Sequence, residues 1–300
     1  MPIFSVIIPA YNPGELLERS LSSVLSQTLT DLEVVVVDDG SAVAPSWVAD
    51  RDPRVRYLRQ ENRGVSTARN VGARSARSEL IAFLDQDDEW HPAKLEMQLD
   101  LINREPDAGL WCTDFNWVRS EGEPAATQDV DPPTYLGLLS DQMVLLSSVV
   151  VRAADYWAVG GHNPMFPQMQ DWDLFLRLTM EGREPAMVDT ALVDYHLHGE
   201  NASADYWTAC AERFALLAEH HRRARRRGDV AALDAVSRGR ERTRELFAYQ
   251  AVDATRAALR SHDVQDVARH LARAGRLSPR IALNSTLQAV MTRVRPDRHD

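Results

Sequence analysis

Three carboxylates follow one apolar run directly, at residues 85, 87 and 88 of the 300-residue chain. Residues 80–84 are predicted to form a buried strand, so Asp85, Asp87 and Asp88 would emerge together where that strand ends. Such a cluster suits a hard divalent cation, Mg²⁺ or Mn²⁺, which takes one or two carboxylates and completes its shell with water and substrate phosphates. An acidic turn that caps the next helix has the same pattern, so the cluster alone leaves both interpretations open.

The segments before this cluster alternate between short β-rich runs and amphipathic helical stretches. Strands are predicted at residues 3–8, 32–37, 55–59 and 80–84, with helices between them at residues 14–27 and 64–76. This alternation predicts an α/β fold in which helices cover both faces of a parallel sheet. In such sheets, ligands bind beyond the carboxyl ends of the strands.

Polar residues follow three of the predicted strands at the points where they end. Tyr11 and Asn12 follow the first strand, Asp39 follows the second, and the acidic cluster follows the fourth. Asp39 could accept a hydrogen bond from the N3–H of a uracil or thymine ring, while Tyr11 offers a face on which the base could stack. For Asp38 and Asp39, a turn with Gly40 is the alternative interpretation. Three strand ends around one crevice favour a binding role for the acidic cluster.

Arg69 is the cation that this arrangement brings toward the same crevice. It lies about one helical turn after the start of the second predicted helix, where a guanidinium could pair with a phosphate or with a base edge. A surface helix with arginine salt bridges is the alternative. The first turn, residues 9–14, lacks Gly-x-Gly-x-x-Gly, and the chain has no Gly-x-x-x-x-Gly-Lys-Ser/Thr, which disfavours a dinucleotide-binding dehydrogenase and a P-loop protein.

Composition narrows the class of protein further. The formal net charge of −10 argues against general nucleic-acid binding. Two cysteines, Cys112 and Cys210, have no metal-ligand spacing and fit a reducing compartment. Lys94 is the single lysine. No apolar stretch approaches the ~20 residues of a membrane span, so we expect a protein without a transmembrane segment.

The rest of the chain is expected to divide near residue 205. Strands are predicted at residues 109–118 and 145–152 and a helix at residues 172–181, and β-rich runs stop after about residue 204. The C-terminal part is rich in Ala, Arg, Glu and Leu, with a predicted helical hairpin. We therefore predict one domain at residues 1–204, with a nucleotide-binding half at 1–110 and a second half at 111–204, and a helical region at 205–300.

Four motifs, in order, resemble the family 2 glycosyltransferases. They are SVIIPAYN at residues 5–12, VDDGS at 37–41, NRGVSTARNVG at 62–72 and FLDQDDEW at 83–90. The resemblance runs from residue 3 to about residue 203. It implies the GT-A (Rossmann-like) fold, a mixed and mostly parallel sheet flanked by helices, here with a C-terminal helical appendage. It also implies inverting transfer of a sugar from a nucleotide donor to an acceptor hydroxyl.

The resemblance also implies roles for individual residues. The residues that fall on the nucleotide-binding motifs are Pro9, Ala10, Tyr11, Asn12, Asp39, Arg69, Asp85, Gln86 and Asp87. Asp85 is expected near the ribose, and Asp87 or Asp88 on the metal. A metal that bridges the donor diphosphate would neutralise the charge that develops on the leaving nucleoside diphosphate.

An inverting displacement needs a base for the acceptor proton, and the family supplies it from a Glu-Asp pair before a helix. The matching stretch here is QMQDWDLFLRL at residues 168–178, so Asp171 takes the base position and Gln170 replaces the glutamate. Loss of that like charge is expected to keep the pKa of Asp171 low. Capping of the helix by Asp171 or Asp173 is the alternative. Gln170 and Trp172 are predicted on the acceptor side, where Trp172 could stack on a sugar or belong to the core.

Two further segments depart from the family pattern or extend it. Residues 160–163 read Gly-Gly-His-Asn in place of Gly-Gly-Phe-Asp, which leaves the acceptor-side loop undefined. His198 matches a recurring histidine near the diphosphate and is a candidate metal or phosphate ligand. The arginine-rich run at residues 222–227 is interpreted as a solvated helix face, with anionic lipid headgroups as the alternative contact.

These observations predict a metal-dependent inverting glycosyltransferase that uses a UDP- or dTDP-sugar and transfers one sugar to a glycan, lipid-linked or small-molecule acceptor. We expect it in the cytoplasm, with a place at the inner face of the membrane if the acceptor is lipid-linked. One alternative is a degenerate, non-catalytic nucleotide-sugar-binding protein, which the changes at Gln170 and His162 keep open. Another is a nucleotidyltransferase, which would normally have a glycine-rich, basic first loop.

Overall fold

Apolar β-branched residues dominate the first two strands, β1 (Phe4–Ala10) and β2 (Leu32–Asp38), and every residue of both strands is buried. The computed structural model describes residues 1–118, 132–180, 182–197 and 205–284, and residues 124–128 by their backbone. Continuous apolar runs of this kind are typical of strands covered on both faces. His198 lies outside the described residues.

The described strands form one mixed sheet. The further strands are β3 (Val55–Arg59), β4 (Leu80–Phe83), β5 (Glu89–Trp90), β6 (Trp111–Val118), β7 (Pro124–Gln128), β8 (Val150–Arg152) and β9 (Ala186–His196). Their order is β3-β2-β1-β4-β8-β6-β9-β5, with β7 paired to β6. The four strands β3, β2, β1 and β4 are parallel, β9 runs parallel to β6, and the other pairings are antiparallel. The predicted mixed α/β sheet is therefore confirmed.

Helices cover this sheet and connect its strands. They are α1 (Leu16–Leu25), α2 (Val65–Ser75), α3 (Lys94–Arg104), α4 (Tyr135–Ser140), α5 (Ala153–Ala158) and α6 (Gln170–Thr179), with short 3₁₀ turns at Ser46–Asp50 and Leu146–Ser148. The second of these turns corrects the predicted strand at residues 145–152, since only Val150–Arg152 is extended. The Ser148 hydroxyl and amide both donate to the carbonyl of Leu145, which turns the backbone there.

Helix α2 lies very close to the sheet because Gly72 has no side chain. A Cβ atom at this position would lie 2.4 Å from Ile7 Cγ2 and 3.2 Å from Val37 Cγ2. Glycine at this position therefore allows the helix backbone to approach β1 and β2. This packing fixes α2, and with it Arg69, against the carboxyl ends of those strands.

Lys94 is fully buried at the start of α3. Its Nζ donates to Gln98 Oε1 at 2.7 Å and lies 3.9 Å from the ring centroid of Trp90. Burial lowers the pKa of Lys94 well below its ordinary value. Trp90 is also buried, and its Nε1 donates to the carbonyl of Ser147. Both side chains therefore belong to the core.

The C-terminal part folds as α7 (Tyr206–Arg227), α8 (Val230–Arg260) and α9 (Val264–Leu277). Each begins after an aspartate, Asp205, Asp229 or Asp263, whose carboxylate accepts a backbone N–H of the first turn, as N-cap residues do. The chain divides into two compact units, residues 1–138 with 142–201 and residues 139–141 with 202–300. Among the described helices, none is both long and apolar enough to cross a membrane.

Candidate active site

Side-chain hydrogen bonds join the ends of three parallel strands. Gln86, after β4, accepts the amide of Tyr11 at 2.9 Å, and Ser41, after β2, accepts the amide of Asn12 at 2.8 Å. Asn12 in turn accepts the amide of Ala42 at 2.9 Å. The predicted convergence of these strand ends is thus present in the structure. Pro9 and Ala10 are buried beneath it, whereas Tyr11 is 49% exposed and available to a ligand.

Asp39 organises the loop that leads into α2. Its Oδ1 accepts hydrogen bonds from Gln60 Nε2 at 2.6 Å and from the Arg63 amide at 2.9 Å, and its Oδ2 accepts the Gly64 amide at 2.8 Å. A carboxylate oxygen can accept two hydrogen bonds, so Oδ2 retains capacity for one more donor. The predicted contact with a base N–H is compatible with this geometry.

The side chain of Asp38 stabilises the turn with Gly40, which was the alternative interpretation for Asp38 and Asp39. Its Oδ1 accepts the Ser41 amide at 2.9 Å, and its Oδ2 accepts the hydroxyl of Tyr57 at 2.7 Å. Gly40, which lies between Asp38 and Ser41 in the sequence, has a φ of +80°. Burial alone would raise the pKa of Asp38, but these hydrogen bonds outweigh it and the pKa lies below its ordinary value.

Arg69 lies between two carboxylates that come from distant parts of the chain. Its Nη2 is 2.5 Å from Asp85 Oδ1 and its Nη1 is 2.9 Å from Asp171 Oδ1. The arginine side chain is 2% exposed and each aspartate side chain is 27% exposed. The expectation for Arg69 was a nucleotide contact, and the structure adds this bridge. No local sequence signal reveals it, because Arg69 and Asp171 are 102 residues apart.

The bridge sets the charge state of Asp171. Burial by itself would raise the pKa of this carboxyl, but the positive charge of Arg69 and a hydrogen bond with His162 lower it below its ordinary value. Asp171 is therefore ionised at neutral pH. It is the second residue of α6, whose N-cap is Met169, so it does not cap the helix. Asp173 does not cap it either and pairs with Arg177 at 2.6 Å.

The acidic cluster contains one buried and one partly exposed carboxylate beyond Asp85. Asp88 is fully buried, and its Oδ2 accepts the hydroxyl of Ser147 at 2.5 Å. Among the described residues, none donates a hydrogen bond of normal geometry to Asp88 Oδ1. Burial, reinforced by the charges of Asp85 and Asp87, raises the pKa of Asp88 well above its ordinary value. The backbone of His196 approaches this carboxyl without a hydrogen bond of normal geometry, so the buried oxygen is poorly satisfied and a cation would stabilise it.

Asp85, Asp87 and Asp88 form one corner of the site. A divalent cation would fit this corner only if a substrate supplied further ligands. Within the described residues, no group of three or more His, Cys, Asp or Glu side chains is arranged to hold a metal ion. Mg²⁺ commonly binds through one or two carboxylates together with substrate phosphates. Asp88 and the partly exposed Asp87 match that pattern. Metal binding by either of them remains a prediction.

The acceptor-side candidates lie at the start of α6. Gln170 is 7% exposed, and its Oε1 is buried without a hydrogen-bond partner among the described residues. Trp172 is partly buried and donates from Nε1 to the carbonyl of Leu138 at 3.2 Å. No sequence pattern indicates the partners of His162, which is almost completely buried with its Nε2 3.2 Å from Asp171 Oδ1.

Comparison with known proteins agrees with this fold. Residues 5–139 match the family model described as Glycosyl transferase family 2. The chain is 30% identical over 208 residues to the chondroitin synthase of Escherichia coli, covering 68% of this chain and 30% of that protein. It is 28% identical over 229 residues to TuaG of Bacillus subtilis (strain 168), a glycosyltransferase assigned to teichuronic acid biosynthesis, covering 74% of this chain and 89% of TuaG.

A solved structure shows the same architecture. The chain superposes on S. aureus TarS 1–349 in complex with UDP-GlcNAc with a TM-score of 0.59 at 19% identity, covering 92% of this chain and 91% of that one. Fold and strand order therefore define a GT-A protein. Residues 5–139 carry a family 2 glycosyltransferase domain. The chain spans 30% and 35% of the length of two of its curated relatives, the chondroitin synthase and an uncharacterized glycosyltransferase of Rickettsia felis.

Proposed function

We propose that the chain is a metal-dependent inverting glycosyltransferase that moves one sugar from a UDP- or dTDP-sugar to an acceptor hydroxyl. The observation that carries the proposal is the Asp85–Arg69–Asp171 bridge. It joins the strand end where the family places the ribose to the helix that supplies the base. The buried guanidinium of Arg69 thus fixes the proposed donor side and the proposed acceptor side relative to each other.

Asp171 would act as the general base. Both Arg69 and His162 contact its Oδ1, so Oδ2 is the oxygen that an acceptor hydroxyl would reach. The lowered pKa keeps the carboxylate ionised, and the attacking hydroxyl becomes acidic enough to transfer its proton as the new glycosidic bond forms. Gln170 precedes it in the sequence, and its Oε1, which has no hydrogen-bond partner in the described part of the chain, would accept a hydrogen bond from the same substrate.

The metal requirement follows from charge. A donor diphosphate bound here would lie close to Asp85, Asp87 and Asp88, and Arg69 supplies one compensating positive charge. Anionic phosphates beside these carboxylates would be repelled unless a cation intervened. When bound by Asp87 or Asp88, Mg²⁺ or Mn²⁺ would stabilise the charge on the departing nucleoside diphosphate. For His198, a place at this corner remains a prediction.

The comparisons support the donor and acceptor classes. TarS 1–349 was solved in complex with UDP-GlcNAc and with UDP, which favours a uridine nucleotide here. The chondroitin synthase and TuaG are named for polysaccharide synthesis, which favours a glycan acceptor over a small molecule. A non-catalytic nucleotide-sugar-binding protein is the second candidate, since Gln170 replaces the glutamate of the family pair.

Ligand-linked stability tests the donor and the metal. We expect the correct UDP- or dTDP-sugar with Mn²⁺ to raise the melting temperature, since a ligand at 100 times its Kd stabilises by about 2.7 kcal/mol. Asp88→Ala and Asp87→Ala should reduce the Mn²⁺-dependent part of the shift, whereas Asp107→Ala, at an exposed site, should preserve it. Shifts that need no metal and survive both substitutions would contradict the proposed metal corner.

Release of the nucleoside diphosphate separates the two candidate functions. With the stabilising donor and a set of glycan acceptors, wild type should turn over, and Asp171→Asn should lower kcat by roughly 10²–10⁴-fold because the general base is lost. The variant should keep the donor-induced thermal shift. A wild-type protein that binds the donor but never releases the diphosphate would favour the non-catalytic alternative.

A further inference from the structure

Hydrogen bonds to its backbone hold His162 in the candidate site. Asn70 Nδ2 donates to the carbonyl of His162 at 2.8 Å, and Asn70 Oδ1 accepts the amide of His162 at 3.0 Å. Gly161 precedes it with a φ of +69°, and a Cβ atom there would lie 2.5 Å from Asn70 Oδ1. The residue is 1% exposed. Its ring position is therefore set by α2 and the glycine turn together.

The ring of His162 connects two functional groups. Its Nε2 lies 3.2 Å from Asp171 Oδ1 and its Nδ1 lies 2.8 Å from the hydroxyl of Tyr156. The ring of Phe83 packs against it edge-on at 5.2 Å. The histidine thus fills the position where the family pattern has a phenylalanine, but with two polar contacts that phenylalanine cannot make.

The surroundings keep this ring neutral. Burial lowers the pKa of His162 to about 4, the charges of Arg69 and Arg177 act in the same direction, and Asp171 opposes them. A neutral ring carries a single N–H. If that hydrogen were on Nδ1, the lone pair of Nε2 would face the ionised Asp171 carboxylate in a buried site. The carboxylate therefore selects the tautomer with the hydrogen on Nε2.

Tyr156 supports the same tautomer from the other side of the ring. Its hydroxyl has one hydrogen and two acceptors within reach, His162 Nδ1 at 2.8 Å and Asn70 Oδ1 at 2.5 Å. The orientation of Asn70 is fixed by its two contacts with the His162 backbone, so its Oδ1 remains an acceptor. The hydroxyl donates to Asn70 Oδ1, and once Asp171 has placed the ring hydrogen on Nε2, Nδ1 of His162 can act as a second acceptor for the same hydroxyl hydrogen.

We propose that His162 is a positioning residue for the base: it donates Nε2–H to Asp171 Oδ1, Tyr156 contacts the other ring nitrogen, and Oδ2 of Asp171 is thereby left to the acceptor. This inference rests on the proposed function of Asp171. Arg69 also donates to Oδ1, so the two donors together hold the carboxylate in one rotamer. No other proton movement is required, because the acceptor proton passes directly to Asp171.

Imidazole ¹⁵N NMR of the free protein tests the tautomer without any substrate. The resonances of His162 are assigned by their loss in His162→Gln, with His221→Gln in α7 as the matched control. We expect a neutral ring protonated on Nε2 at pH 7, and partial loss of this preference in Tyr156→Phe but not in Tyr249→Phe, whose side chain is 57% exposed. A ring protonated on Nδ1, or doubly protonated, would overturn the proposal.

Kinetics then test the positioning role with the donor that the thermal screen identifies. His162→Phe should lower kcat roughly tenfold to a hundredfold with the donor KM unchanged, since a misplaced base costs rate rather than binding. The acidic limb of its pH profile should move to higher pH, because Asp171 loses a hydrogen bond that lowers its pKa. His162→Gln, which retains an N–H donor, should recover part of kcat.

The outcomes separate this inference from the proposed function. If no donor is turned over, the NMR result still decides the tautomer, and only the reaction is in doubt. If wild type is active and the pH profile and kcat of His162→Phe match those of wild type, the histidine fills space and the positioning role is wrong. Unfolding curves of each variant establish that the compared proteins are folded.

Discussion

Arg69 carries one positive charge and faces two carboxylates in a place that water hardly reaches. Breaking a buried ion pair by removing one partner is strongly destabilising, because the remaining charge stays buried without compensation. Here the removal of Arg69 would leave two such charges, Asp85 and Asp171, near each other. The arginine therefore stabilises the folded chain and also sets the state of the proposed base.

Arg69→Ala is expected to lower the free energy of unfolding at pH 7 by about 3–5 kcal/mol. The folded-state pKa of Asp171 is depressed in wild type, so its contribution is present above the unfolded pKa of about 3.9 and is lost as the pH falls through the folded pKa. Without Arg69, burial would raise the folded-state pKa of Asp171. At pH values above the unfolded pKa, the ionised carboxylate would then lower the free energy of unfolding. Urea denaturation at pH 7 and at pH 4 should therefore show a larger loss at pH 7.

Arg104→Ala is the matched control, because Arg104 is exposed in the last turn of α3 and donates to the carbonyl of Asp100. Its free energy of unfolding should stay within about 0.5 kcal/mol of wild type. If Arg69→Ala loses the same amount at both pH values, lost packing rather than charge would explain its effect.

At the scale of elements, the contact between α2 and the sheet depends on Gly72. We expect Gly72→Ala to lower the free energy of unfolding by about 1–3 kcal/mol, since the added methyl group overlaps Ile7 and must displace helix or strand. A small displacement of α2 would also move Arg69. Differential scanning fluorimetry and urea denaturation measure the change.

Gly275→Ala in α9 is the comparison for this substitution. Nothing lies within 4 Å of a Cβ atom at Gly275, so alanine should stabilise the helix by about 0.5–1 kcal/mol through its better helix propensity. The two substitutions are chemically identical and should have opposite signs. A stabilising effect of Gly72→Ala would mean that α2 is not tightly packed.

The elements that sequence predicts best are those with one dominant pattern. The apolar runs of β1, β2 and β4 and the amphipathic helices between them were predicted to within a few residues. β9 was not predicted, because its exposed and buried residues do not alternate regularly. Asp171 was found by its motif, whereas its contacts with Arg69 and His162 depend on tertiary packing, which local sequence does not encode.

At the scale of the whole chain, burial is uneven between elements. Every residue of β1 and β2 is buried, whereas α9 has a single buried residue, Ala274. Local opening costs least where few apolar groups are buried. Hydrogen exchange followed by mass spectrometry should therefore find the slowest amides in Phe4–Ala10 and Leu32–Asp38 and faster exchange in Val264–Leu277. Equal protection of α9 and β2 would contradict this order.

The burial of Lys94 has a practical consequence. It is the single lysine of the chain and its side chain is inaccessible in the folded state. An acylating reagent added in excess can modify this ε-amino group only after the start of α3 has opened. The rate at which the peptide containing Lys94 gains the acyl mass would therefore time that opening in the native protein, with no engineered probe.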